Sequence, residues 1–89
     1  MYEEYGLSGQ LSAFVLKYTD QKGIISKVSY ILAAHDVNIA NMRVERTGDT
    51  AVMVCEVDGL LSDETLAEIT GLDEIKWYWS FKPDKNIEK

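Results

Sequence analysis

The chain has 89 residues, 46% of them hydrophobic and 27% charged, enough for one small core and too few for two domains. Nine basic residues against fifteen acidic ones give a formal net charge of -6, which repels a phosphate backbone and argues against nucleic acid as a partner. A single cysteine, Cys55, and a single histidine, His35, exclude an intrachain disulfide and a four-ligand zinc or iron–sulfur site, so association with another chain is the supplement expected for so small a core.

No apolar stretch approaches the roughly 18 residues that cross a bilayer, and Met1 is followed by "YEEYG" rather than by a basic and then apolar signal. A cytoplasmic, non-membrane protein is expected, and Cys55 inside "AVMVCEV" reads as a buried, inert thiol.

In chain order, "LSAFVLKY" from Leu11 to Tyr18 is rich in strand formers and bounded by turn residues. After Gly23, Ile24, Val28 and Ile31 recur at helical spacing, with Ile25 and Leu32 beside them, and predict a helix running down to Asp36. "VNIANMRVER" alternates, which puts Ala40, Met42 and Val44 on one side and Asn41, Arg43 and Glu45 on the other. "TGD" predicts a hairpin turn into the apolar strand "TAVMVCEV". Ser62 is placed to cap a second helix that begins Asp63-Glu64, faces Leu66 and Ile69 inward and ends at Gly71. "EIKWYWSF" then alternates Ile75, Trp77, Trp79 and Phe81 against Lys76, Tyr78 and Ser80.

Strand, helix, strand, strand, helix, strand with right-handed crossovers predicts an α+β, ferredoxin-like βαββαβ sandwich, a four-stranded antiparallel sheet with two helices on one face. Residues 1–10 read as an N-terminal extension, 11–82 as the domain and 83–89 as a polar tail. The second and fourth strands should form the sheet edges. Apolar groups on both parities of the first and third strands suggest that the other sheet face is covered by a partner.

The fold hosts many roles, so the residues must decide. RNA recognition needs aromatic and basic groups on the third strand, and "AVMVCEV" has none. A soft-metal carrier needs paired cysteines in the first loop, and "TDQKG" has none. Catalysis would fall to His35, which sits on the apolar side of the first helix's last turn and reads as a structural ring satisfying a terminal carbonyl. Small-ligand sensing fits better. Backbone amides after Gly23 leave a positive helix end for a carboxylate, Asp20 can meet an ammonium, and Gly23 permits close approach. A structural reading stays open beside it, with Asp20 as a helix cap and Gly23 as a turn.

"YTDQKGIISKVSYILAAHDVNIANMRVER" followed by "AVMVCEVD" resembles the ACT domain, a ferredoxin-like module that binds amino acids and regulates metabolic enzymes. Its pattern is met by Asp20, Gly23, Ile24, Val28, Leu32, Val37, Asn38 and Ile39. Within that family, "LSG", "MRVERTG" and "AVMVCEVDG" are most similar to the C-terminal regulatory domain of bacterial iron–sulfur L-serine dehydratases, with the phosphoglycerate dehydrogenase domains next. The resemblance implies serine as ligand, a homodimer, a catalytic domain or subunit as partner, and no cofactor in this segment, since a 4Fe-4S cluster would belong to the catalytic part. It also implies a site between two copies, with Tyr18, Asp20, Gly23 and Ile24 from one first loop and Asn38 from the other copy. Three positions depart from the pattern: Lys22 stands where proline is usual, Tyr18 and Asp20 where the phosphoglycerate dehydrogenases have histidine and asparagine, and Asp36 where glycine is frequent.

Overall fold

The computed structural model describes residues 11–82, so the extension and the tail read from the sequence lie outside it. Its elements are β1 (Ser12–Thr19), α1 (Ile24–Ala34), β2 (Asn38–Thr47), β3 (Thr50–Asp58), α2 (Asp63–Thr70) and β4 (Ile75–Phe81). The sheet order is β2-β3-β1-β4 with every neighbouring pair antiparallel, so β2 and β4 are the edges and β3 lies inside.

One parity of the central strands builds the main core. Phe14, Leu16 and Tyr18 of β1 and Ala51, Met53, Cys55 and Val57 of β3 are buried against Ile24, Val28 and Leu32 of α1 and Ile69 of α2. The predicted stripe therefore is the buried face of α1, and both helices cover the same side of the sheet. The opposite parity holds a second cluster, Ala13, Val15 and Val54 with Val52 and Trp79 against it. Ala13 and Val15 are fully buried within the single chain, whereas Val52 and Trp79 are half-buried and Trp77 on the same face is 38% exposed.

Local chemistry sets the element ends. Ser62 accepts the Thr65 N–H at 3.1 Å and caps α2 as its sequence position predicts. The end of α1 is a Schellman closure: Asp36 N–H donates to the Ala33 carbonyl at 3.0 Å and Val37 N–H to the Leu32 carbonyl at 2.8 Å. This requires a left-handed residue between them, and Asp36 adopts φ 61°. Aspartate tolerates that region better than most residues, which is why the frequent glycine can be absent. Val37 then packs back on the core and Asn38 starts β2 in a fixed position.

Two irregularities correct the strict alternation. Ile39 pairs with Val57 but Asn41 pairs with Glu56, so Ala40 is an extra residue. It is exposed rather than inside, and Asn38 and Asn41 lie on the same sheet face instead of opposite ones. At the other edge Tyr18 pairs with Ile75 while Lys17 pairs with Trp77. Ile75 thus joins the helix-side core, whereas Trp77 faces the other way, under the Lys17 ammonium at 5.7 Å from its ring centroid.

Candidate functional site

The loop between β1 and α1 meets three other segments at one end of the sheet. Thr19 N–H donates to the Glu74 carbonyl at 3.1 Å before β4, and Asp20 N–H donates to the Asp49 carbonyl at 2.8 Å in the β2–β3 turn. These bonds hold the loop at the sheet end from both sides. Gly23 is the N-cap of α1 at φ 90°, a conformation side chains rarely adopt, and no atom lies within 4 Å of where its Cβ would be. Among the described residues no side chain caps α1, so its first amides have no side-chain acceptor there.

Asp20 is therefore not the cap that a structural reading of the sequence allowed. Its carboxylate pairs with Arg46, whose Nε lies 3.0 Å from Oδ2 and 3.2 Å from Oδ1. Arg46 was not singled out from the sequence, because it lies 26 positions away at the far end of β2 and only the sheet brings it here. Arg46 and Tyr18 both pair with Ala51, one from each side, which places all three on one cross-strand row on the helix side of the sheet. Tyr18 is 1% exposed and its hydroxyl has no hydrogen-bond partner among the described residues. Burial pushes the phenol up from its ordinary value, the Asp20 carboxylate adds to this, and Arg46 opposes it. The hydroxyl thus lies within electrostatic reach of the ion pair without bonding to either member.

Four of the five residues read from the sequence, Tyr18, Asp20, Gly23 and Ile24, are brought together at this end. Asn38 is not. It pairs with Asp58 at the opposite end of the sheet, and its Nδ2 donates to Asp58 Oδ2 at 2.9 Å. Asn38 and Arg46 are eight positions apart along β2, on the order of 25 Å, so no amino acid touches both groups within one chain. Asn38 borders a shallow open hollow of about 210 Å³ formed with Ala33, Asp36 and Val37.

His35 is structural, although not through a backbone carbonyl as expected: its ring Nε2 pairs with Glu68 and ties the end of α1 to α2. Burial, with a smaller push from Glu56, raises the Cys55 thiol to about 12, so the thiol stays protonated and unreactive. A lone buried cysteine does not fit an iron–sulfur cluster, and among the described residues no three His, Cys, Asp or Glu side chains converge to hold a metal. No helix among them is long and apolar enough to cross a membrane.

The described residues form a ferredoxin-like βαββαβ sandwich whose first loop opens through a glycine onto a helix start that no side chain is seen to cap. The sequence model of the ACT domain matches residues 12–74, and the chain belongs to the ACT domain family. It is 35% identical over 74 residues to a probable L-serine dehydratase beta chain of Bacillus subtilis, a match that covers 81% of this chain and 34% of that protein. It is 36% identical over 62 residues to the D-3-phosphoglycerate dehydrogenase of the same organism, covering 67% of this chain and 12% of that one. Among solved structures, the ACT domain of GTP pyrophosphokinase from Chlorobium tepidum superposes with a TM-score of 0.63 at 9% identity, over 81% of this chain and 97% of that one. The chain thus corresponds to a minor part of the curated relatives it matches and is an ACT regulatory domain homologous to parts of both enzymes.

Proposed function

We propose that this domain senses an L-α-amino acid, L-serine in the first place, and regulates an L-serine dehydratase in the cytoplasm. The observation that carries this is the Tyr18 hydroxyl, buried and without a partner among the described residues, near the Asp20 carboxylate at the start of α1. The Asp20 carboxylate takes the ligand ammonium, and the amides near Gly23 and Ile24 take its carboxylate at the positive end of the helix. Asn38 of a second copy supplies the remaining polar contact. An antiparallel pairing of two β2 edges about a twofold axis sets the start of one β2 beside the end of the other, which is where Asp20 lies. The catalytic domain or subunit, with its 4Fe-4S cluster, is the other partner.

Titration calorimetry with L-serine, D-serine and glycine tests the reading, with a ligand-specific rise in melting temperature as the second readout. Saturable heat with L-serine is expected. A second reading, a dimerisation module without ligand, is favoured by the Asp20–Arg46 pair, which already satisfies the carboxylate. Absence of heat and of any melting shift with every amino acid would leave that reading standing.

A further inference from the structure

We infer that Arg46 is a ligand-binding residue of this site and that the Tyr18 hydroxyl selects amino acids whose side chain carries a hydroxyl; this rests on the amino-acid-sensing reading above. Tyr18 on β1 and Arg46 on β2 are two strands apart, and the only residue between them on their row is Ala51. Ala51 puts only a methyl group on that row, so no long side chain of β3 stands between the phenol and the guanidinium.

Both ends of that row carry unfinished polar chemistry. A buried hydroxyl without a partner is rare in folded proteins, and phenylalanine would fill the same space without the cost. At the other end the Asp20–Arg46 pair is partly solvated, with side chains 26% and 57% exposed, and ion pairs of that kind hold weakly. A zwitterion exchanges this one contact for two: its ammonium keeps Asp20, and the carboxylate oxygen that the Gly23 and Ile24 amides leave free meets the Arg46 guanidinium. The α-carbon then sits between the two charges, and a short side chain points along the row toward Tyr18. A hydroxyl there closes the bond that the phenol lacks, while a methyl leaves it open.

The test is calorimetry on the 89-residue chain with L-serine and L-alanine, using Tyr18→Phe and Arg46→Gln, each checked for folding by its thermal melt. Tyr18→Phe should lower the affinity for L-serine about tenfold and leave L-alanine unchanged, collapsing the preference between them. Arg46→Gln should weaken both ligands by about 10- to 100-fold, with Arg46→Lys intermediate. If the unmodified chain binds L-serine and Arg46→Gln binds it as tightly, Arg46 is not in the site. If Tyr18→Phe shifts both ligands equally, the hydroxyl does not read the side chain. Either result overturns the inference and leaves amino-acid sensing intact, whereas silence of the unmodified chain toward every amino acid removes both.

Discussion

Tyr18 and Arg46 lie on either side of Ala51 on one row of the sheet, the first with a buried hydroxyl that has no partner among the described residues and the second holding Asp20 through its Nε. The packing there is complete in apolar terms and incomplete in polar ones. A domain with no ligand to receive would gain stability by losing that hydroxyl.

Tyr18→Phe should therefore stabilise the ligand-free domain. Removing a buried, unpaired hydroxyl without changing ring volume recovers on the order of 1 kcal/mol, about 4 to 8 °C in melting temperature for a domain of this size. Thermal unfolding of both proteins without ligand measures it. A lower melting temperature in the variant would mean that the hydroxyl has a partner after all.

Alkaline pH should act on the same core. The Cys55 thiol is raised from its ordinary value of 9.0 to about 12, and Tyr18 is raised above 10.0. A group whose pKa is higher when folded stabilises fully below its unfolded value and loses that contribution as the pH climbs to the folded one. Stability should thus fall from pH 9 upward, first through Cys55, by up to about 1.4 kcal/mol per pH unit. Urea denaturation at pH 8, 9, 10 and 11 gives the slope. Cys55→Ala starts less stable because of the cavity it leaves, but its profile between pH 9 and 10 should be flatter. Parallel profiles would show that the thiol titrates alike in both states.

Most of the fold was legible because its signals are local. The helical spacing of Ile24, Val28 and Leu32, the cap at Ser62 and the turn at Gly48-Asp49 each act within a few residues, and each lies where the sequence placed it. The bulges were not legible, since alternation assumes one residue per step and a bulge is decided by the strand opposite. Ala40 was expected inside and is exposed, and Ile75 was grouped with Trp77 and faces away from it. The site was half legible. Asp20 and Gly23 lie in a short loop that the resemblance marks, whereas Arg46 matters only through a neighbour two strands away.

Deleting Ala40 tests the bulge directly. With the extra residue gone, Ile39 and Asn41 become consecutive partners of Val57 and Glu56, and no other side chain changes face. The variant should fold, with stability within about 1 kcal/mol of the parent by urea denaturation. Were β2 regular, the same deletion would turn Ile39 out to water and cost about 2 kcal/mol or more. A loss of that size would show that Ala40 is part of a regular ladder.

The separation of Asp20 and Asn38 makes the proposed dimer testable by mixing. Within one chain they occupy opposite ends of the sheet, so in the proposed dimer each of two sites would take Asp20 from one copy and Asn38 from the other. Asp20→Ala and Asn38→Ala should each weaken L-serine binding, the first by roughly one to two powers of ten through loss of a charge-assisted bond. Asn41 cannot serve as the neutral control, because the bulge puts it on the same face as Asn38; exposed Glu64 on α2, replaced by Gln, serves instead. When the two weakened proteins are mixed and allowed to exchange, a heterodimer holds one site with both substitutions and one with neither. Random exchange of equal amounts makes about half the dimers mixed, so about a quarter of all sites should recover the parent affinity, by the twofold symmetry of the pairing. Calorimetry on the equilibrated mixture reads that fraction. A mixture as weak as its components would show that Asp20 and Asn38 do not complete one another across two copies.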